Sequence, residues 1–444
     1  MVYNQQVTSM IAKSKYIQDR KKLLGRLPTI NIDVPDFIYI ATDNARCPKS
    51  DVYVKEGDHV NCCELIGMRH GAFFDQPIHS TVSGTFLGFE EHYHRSGKKV
   101  KFIKIQNDHL DTLDPSVKTR TKEEVEALTK EDFTQIIKDC ASVGLGGSSF
   151  PTYIKFQTKE KIDTIIINGI ECEPYVTADH RLMLEEPENV IEGLELIMKA
   201  FSAKRGLICV KNKYNDIKQV YKELLRRYPN SNIELCPVGN FYPQGWEIAM
   251  IKGATGINVK SGELPAKYGI MNFNVSTVAG IRQAILFNKP VIERLIAVTG
   301  DGINYPSNFK VRVGTPIKYL IEKCGGYKNP DIPKVFILGG PMMGASLPTD
   351  DTIATKTVTS VIVLNKPNEE KEEPCIRCGS CVYSCPVGLE PVQIMNAVKA
   401  MDKDRVKKLN PLKCIECGLC TYSCTSSIKV TDFVRRAKII AKLP

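Results

Sequence analysis

The sequence predicts a multidomain protein of mixed α/β and α+β class. Three observations carry that prediction. Short strands broken by turns fill residues 37–107, strand and helix periods alternate over 130–260, and cysteines crowd the stretch beyond residue 374. A chain of 444 residues exceeds one ordinary core, so three or four domains are expected. Charged residues at 25% and hydrophobic residues at 43% are the balance of a globular chain. No apolar run reaches the ~18–20 residues that cross a bilayer. The opening stretch holds Lys13, Lys15, Arg20, Lys21 and Lys22 without an apolar core, which argues against a signal peptide.

Taken in order, residues 1–36 form a basic extension. In 37–110, apolar residues alternate and Gly57-Asp58, Gly67, Gly84 and Ser96-Gly97 mark turns, the pattern of an all-β module. Its Val54-Lys-Glu-Gly57-Asp58-x-Val60 and Pro77-Ile-His-Ser-Thr-Val-Ser-Gly84 segments resemble biotinyl/lipoyl-like barrel-sandwich domains. The stretch 68–76 between the halves has no lysine, so a covalent swinging arm is not expected. Residues 125–285 read as a parallel βαβαβ unit, with strands at 165–167, 207–210 and 233–238 and helices at 181–201 and 217–228. Residues 290–366 return to short strands with one helix near 317–324, a small α+β module. The charged run 369–374 looks like a tether to the last module, 367–444.

That last module holds two copies of one pattern. The first is Cys375-x2-Cys378-x2-Cys381-x3-Cys385-Pro386. The second is Cys414-x2-Cys417-x2-Cys420-x3-Cys424, followed by Thr425 instead of proline. This is the bacterial ferredoxin spacing for two [4Fe–4S] clusters, in which the fourth cysteine of each run ligates the other cluster. Cys375, Cys378, Cys381 and Cys424 are therefore expected on one cluster, and Cys414, Cys417, Cys420 and Cys385 on the other. Gly379 and Gly418 lie inside the turns. Zinc sites usually pair two short knuckles across a longer loop, which these runs do not do. Thiols and iron–sulfur ligands imply a reducing compartment.

The formal charge is +10, and residues 396–444 concentrate it, with 11 Lys and Arg against four acids. Cations beside anionic clusters are the simplest reading. An acidic electron partner or a membrane surface could use the same charge. No nucleic-acid-binding motif is present, so no nucleic acid is expected.

Residues 144–155 read GLGGSSFPTYIK. Gly144, Gly146 and Gly147 let backbone NH groups crowd an anion, and Lys155 adds a point charge for a phosphate. The strand at 165–167 runs into Asn168-Gly-Ile-Glu-Cys-Glu173-Pro, polar groups where α/β folds bind ligands.

These segments together carry a resemblance. GLGGSSFPT (144–152), NGIECEPYVTADHRLM (168–183), YPQGWE (242–247), NFNVSTVAGI (272–281) and the cysteine runs are similar to the family of the NADH-binding flavoprotein subunit of respiratory complex I. Within it, the chain resembles the C subunits of Rnf-type ion-translocating ferredoxin:NAD oxidoreductases over about residues 37–430. The resemblance implies a barrel-sandwich domain, a Rossmann-like flavin/NADH domain, a β-grasp soluble-ligand-binding module and a two-cluster ferredoxin domain. It implies non-covalent FMN in the glycine loop of Gly144, Gly146 and Gly147, with Lys155 near its phosphate and NAD(H) as substrate. Phe150 is implied to stack on the nicotinamide ring, and Asn168 and Glu173 to face the flavin edge or ribityl chain. Gly245 and Glu247 are implied to line the nucleotide site, and Asn274 and Thr277 to complete the flavin pocket. Electrons would pass between NAD(H), FMN and the clusters, then to membrane-embedded and iron–sulfur subunits and indirectly to ferredoxin. The expected location is peripheral, on the cytoplasmic face of a bacterial membrane. Two features differ from the pattern. Trp246 stands where relatives have a second glycine, and the usual glycine- and histidine-containing opening is missing.

Two other functions use the same parts. One is a soluble cytoplasmic flavin/iron–sulfur reductase, like the cobalamin reductases or the electron-transfer partner of proline reductase. The other is an iron–sulfur relay on a degenerate nucleotide site. His92-x-His94 is expected on a surface strand rather than on a metal, and Cys62-Cys63 as ordinary thiols on opposite strand faces. Cys172 is read as a structural thiol. The basic amphipathic tail 430–443 is expected to pack on its own cluster domain.

Overall fold

The computed structural model describes residues 17–44, 46–229, 231–366 and 371–443. Lys13, Lys15 and the first two residues of the expected tether, 369–370, lie outside them. The first module is a pair of antiparallel sheets. One has the order Phe37–Ala41, Lys99–Asn107, Gly84–Tyr93, His59–Val60. The other runs Lys49–Val52, Leu65–His70, Asp75–His79. Alternate residues point inward, and Ile38, Ile40, Val60, Ile66, Ile78, Phe86, Ile103 and Ile105 fill the space between the sheets.

Next in the chain is a four-stranded sheet with order Ile233–Val238, Arg205–Lys211, Thr164–Asn168, Ile270–Asn274, parallel throughout. Continuous apolar runs such as Ile165-Ile166-Ile167 are what a sheet covered on both faces requires. Ile165, Ile167, Ile208 and Phe273 pack on the helices Pro187–Phe201 and Val275–Phe287. Ile166, Leu207 and Cys209 meet Met250 and Ile251 on the other face. The single helix expected over 181–201 is two, Ala178–Glu185 and Pro187–Phe201. Pro187 disfavours helical backbone at the residue before it, and Glu186 sits at φ −130°.

The third module is a six-stranded mixed sheet with the order Thr29–Asn31, Ser307–Arg312, Glu293–Thr299, Ser360–Asn365, Lys334–Leu338, Ala345–Leu347. Helix Ile317–Lys323 covers it through Ile317, Leu320 and Ile321. Its first edge strand comes from residues read as a separate extension. Thr29–Asn31 pair in parallel with Asn308–Lys310, so the extension is built into this sheet.

The last module is helical. Helix Val430–Lys442 buries Val430, Val434 and Ala437 against its own domain, and Lys438 donates to the Cys414 carbonyl at 3.1 Å. Two local expectations are corrected. His92 and His94 are buried, not on a surface strand, and Asp351 takes the His92 Nδ1 at 2.6 Å. Cys62 and Cys63 do not face opposite ways. Cys63 has φ +75°, which brings the two Sγ atoms to 3.9 Å in a buried pair.

Candidate functional site

Strand Thr164–Asn168 starts the parallel sheet. The chain then builds outward on one side and returns on the other as Ile270–Asn274. The order reverses between these two strands, the point at which α/β sheets open a ligand crevice at the strand carboxyl ends. Their register sets Asn168 opposite Asn274 at its rim. Asn168 Nδ2 donates to the Gly245 carbonyl at 2.9 Å, tying YPQGWE to NGIECEP. Asn274 caps helix Val275–Phe287 through its Oδ1 and the Ser276 NH, 3.0 Å. Its Nδ2 and the Ser276 hydroxyl both reach Asp179, at 2.6 Å each. Burial, with the nearby Glu171, raises the Asp179 carboxyl to about 6 against those two hydrogen bonds.

The glycine loop lies over this helix start. Thr277 Oγ1 accepts the Leu145 NH at 2.9 Å. Gly146 closes on Asn274, where a Cβ would come within 3.0 Å of Cγ. Gly147 has φ +103° and open space where a Cβ would point. Three arginines hold the loop's carbonyls. Arg294 reaches Leu145 at 3.1 Å, Arg95 reaches Gly147 at 3.5 Å and Arg46 reaches Ser148 at 3.2 Å. The NH groups of Gly146 and Gly147 donate to no protein group among the described residues. Carbonyls taken from behind and NH groups left free make a concavity suited to an anion. Gly144 keeps room for Ser148, whose hydroxyl would overlap a Cβ. The Phe150 ring lies 5.7 Å below the Arg46 guanidinium and edge-on to Phe74.

Lys155, expected near a phosphate, has protein partners in this structure. The one-turn helix Tyr153–Phe156 turns its amine inward, where it donates to the Asn272 carbonyl at 2.7 Å and lies 5.1 Å from the Phe273 ring centre. Burial lowers its pKa, and Glu247 opposes that. Glu173, expected at the flavin edge or ribityl chain, lies against the loop at Gly340 and Met342. Its Oε2 accepts the Met342 NH at 3.0 Å, while Oε1 is buried without a partner among the described residues. Gly340 must be glycine, because a Cβ there would lie 2.1 Å from Glu173 Oε2. Burial pushes the Glu173 carboxyl up to about 7. Gly245 packs on Cys172, where a Cβ would come within 2.9 Å of Sγ. Trp246 precedes helix Glu247–Thr255 in extended backbone, φ −67°, which a side chain adopts freely.

The cysteine runs surround two cavities. Cys375, Cys378, Cys381 and Cys424 line one, and Cys385, Cys414, Cys417 and Cys420 line the other. Among the described residues no three His, Cys, Asp or Glu side chains converge on a single-ion site. Thiols spread around a cavity suit a cluster with one iron per corner. The runs share a backbone conformation, with Arg377 and Gly379 left-handed in one and Glu416 and Gly418 in the other. A buried Ser384–Ser423 hydrogen bond, 2.9 Å, joins the halves. The second cavity abuts the crevice, where Tyr242 donates to the Cys417 carbonyl at 2.9 Å and Gly418 packs on the Met342 carbonyl. The first cavity opens to solvent, with Cys375, Cys378, Ile376 and Tyr383 exposed.

Sequence reasoning missed Lys21. It is buried, donates to the Glu171 carbonyl at 2.5 Å and pairs with the Glu171 carboxylate at 3.2 Å. The charges of Glu171, Tyr214 and Cys172 hold its pKa above the usual range despite burial. No local pattern marks it, because its partner is 150 positions away.

Four family models match in this order: the RnfC barrel sandwich hybrid domain over 14–110, the Nuo51 FMN-binding domain over 137–283, the SLBB domain over 295–346 and a 4Fe-4S dicluster domain over 374–428. The chain is similar to the C subunit of the Na+-translocating ferredoxin:NAD+ oxidoreductase complex of Acetobacterium woodii, at 37% identity over 77% of this chain and 76% of that one. The C subunit of the proton-translocating ferredoxin:NAD+ oxidoreductase complex of Clostridium ljungdahlii is 33% identical over 84% and 81%. The C subunit of the ion-translocating oxidoreductase complex of Rhodobacter capsulatus is 30% identical over 88% and 75%.

Proposed function

The chain belongs to the family of Rnf complex C subunits, and from that premise we propose how its parts divide the work of NAD-linked electron transfer. It transfers electrons between NAD(H), FMN and two [4Fe–4S] clusters, as one subunit of an ion-translocating ferredoxin:NAD+ oxidoreductase. Among the described residues no helix is long and apolar enough to cross a membrane, so ion movement belongs to other subunits of the complex. We place the chain on the cytoplasmic face, where NAD(H) is available. The parallel sheet is read as Rossmann-like from its strand order, and the 293–365 sheet as a β-grasp.

The residues present fit FMN. The free NH groups of Gly146 and Gly147, with Asn274 and Thr277 at a helix N-terminus, offer an anion site for its phosphate. Asn168 and Gly245 form the crevice wall beside them. Phe150 is assigned to stack on the nicotinamide, and Glu247 to the nucleotide side. Lys155 supports the crevice from beneath through Asn272. Bound FMN supplies the exchange between paired electrons from a hydride and single electrons. The protein contributes orientation, so no side chain is assigned as an acid or base.

Burial orders the two cluster sites. The cavity of Cys385, Cys414, Cys417 and Cys420 faces the crevice through Tyr242, and we assign it to the flavin side. The cavity of Cys375, Cys378, Cys381 and Cys424 is exposed, and we assign it to the partner side. The Tyr242–Cys417 contact carries this reading. It is tested by titrating the anaerobic, FMN- and cluster-reconstituted protein with NADH while following flavin and cluster absorbance. Bleaching of the flavin followed by fading of the cluster bands is expected. Intact cluster bands with no FMN bound and no response to NADH would leave an iron–sulfur relay on an inactive scaffold.

A further inference from the structure

Residues 17–31 run across three modules. Ile17 packs beside Tyr242 and Cys417. The Asp19 carboxylate pairs with Lys213, and its carbonyl accepts the Tyr175 NH at 2.8 Å. Lys21 enters the loop between the Thr164–Asn168 strand and the Ala178–Glu185 helix. The Leu24 side chain is buried, and the Leu24 and Leu27 carbonyls accept from Asn308 at 2.8 and 3.0 Å. The segment ends as the edge strand Thr29–Asn31.

The loop that Lys21 enters is in an unfavourable conformation. Glu171 and Tyr175 both have left-handed backbone, φ +42° and +65°, without being glycine. Such residues persist only where their surroundings hold them. Asp19 holds Tyr175 and Lys21 holds Glu171. Glu171 then passes the constraint on, since its Oε1 accepts the Asp179 NH at 2.8 Å and Asp179 binds Asn274 and Ser276. Lys21, Glu171, Asp179 and Asn274 thus form one connected line from the strap to the cap of the crevice helix.

Lys21 is also a buried cation against the loop that follows the Thr164–Asn168 strand. Its charge acts on Glu171, Cys172, Glu173 and Tyr214, and it helps burial lower the Lys211 amine to about 7. A fixed positive charge in a low-dielectric site favours whichever form of a neighbouring redox group is more negative, and a fixed negative charge does the reverse.

We infer that residues 17–31 are a strap whose positioning residue is Lys21, which sets the shape of the 168–179 loop and the electrostatic potential under the flavin. This rests on the FMN reading above. Lys21→Met leaves Glu171 negative and unpaired. Relative to wild type it is expected to speed hydrogen–deuterium exchange over 168–179, weaken FMN binding by about tenfold, the scale of one lost charge-assisted hydrogen bond, and move the flavin midpoint potential negative. Lys21→Arg should keep all three near wild type. The double variant Lys21→Met with Glu171→Gln removes both charges. It should return the potential towards wild type while exchange stays fast, a recovery that a merely structural role would not produce. It also avoids a buried unpaired carboxylate, so it stands in if the single variant does not fold. Wild-type exchange, affinity and potential in Lys21→Met would overturn the inference, as would a double variant whose potential stays away from wild type. If the wild-type protein binds no FMN, the flavin reading fails, and loop exchange still decides whether Lys21 positions the loop.

Discussion

The Tyr242 hydroxyl donates to the backbone carbonyl of Cys417 at 2.9 Å, so a residue of the nucleotide-side segment YPQGWE is hydrogen-bonded to a cysteine of the second run. Both are buried.

Removing that hydroxyl tests the junction. Tyr242→Phe should cost about 1 kcal/mol of stability, the net worth of one hydrogen bond. In stopped-flow mixing with NADH, flavin bleaching should keep its rate while cluster reduction slows. Equal slowing of both phases would place the defect in nucleotide binding instead.

Crossed ligation gives opposite outcomes for the two fourth cysteines. Cys424→Ser should lose the exposed cluster and Cys385→Ser the one beside the crevice. Iron content near half in each, with NADH-driven reduction of the remaining cluster preserved only in Cys424→Ser, is the expected pattern. Low-temperature EPR of the reduced proteins reads it.

Glu173 gives stability a pH dependence. Its carboxyl rises from 4.5 to about 7 on folding, chiefly through burial. Below pH 4.5 it is protonated in both states. Between 4.5 and 7 the unfolded chain releases the proton and the folded one keeps it, so stability falls as pH rises across that window. The loss is at most about 3 kcal/mol. Urea unfolding at pH 5 and pH 8 should show this fall in wild type and a smaller one in Glu173→Gln.

Gly147 has φ +103° with free space around it, so Gly147→Ala meets backbone strain and no clash. The strain is of order 1–3 kcal/mol. FMN affinity, measured by fluorescence quenching, should fall while the thermal unfolding midpoint changes by only a few degrees. An unchanged affinity would remove this loop from the phosphate site.

What the sequence disclosed follows how local each constraint is. Each cysteine run is fixed over about a dozen residues, so spacing alone pointed to clusters, whereas the glycine loop needed its neighbouring segments and the resemblance they carry. The break before Pro187 was also local, and its signal, proline at a first helical position, was present beside the uninterrupted apolar period that hid it. Lys155 and Glu173 were named from the resemblance, and their protein partners were not legible in the sequence. The carbonyl of Asn272 and the NH of Met342 that hold them lie 117 and 169 positions away. His92 was read as exposed because Asp351, which buries and pairs it, belongs to another module. The Lys21 contact likewise joins the N-terminal extension to the second module, and no sequence period marks it.

The edge strand Thr29–Asn31 has a consequence for biosynthesis. Its partners, Asn308–Lys310, leave the ribosome nearly 280 residues later. Modules fold as they emerge, so the barrel and the parallel sheet can form while this early segment still waits for its place. Until then Leu24 has no Asn308 beside its carbonyl, and the rim of the 293–365 sheet is unsealed. An unpaired rim is a site for mispairing with another nascent chain. This early stretch is thus among the last to settle, and its Leu24–Asn31 end locks only when the third module is complete.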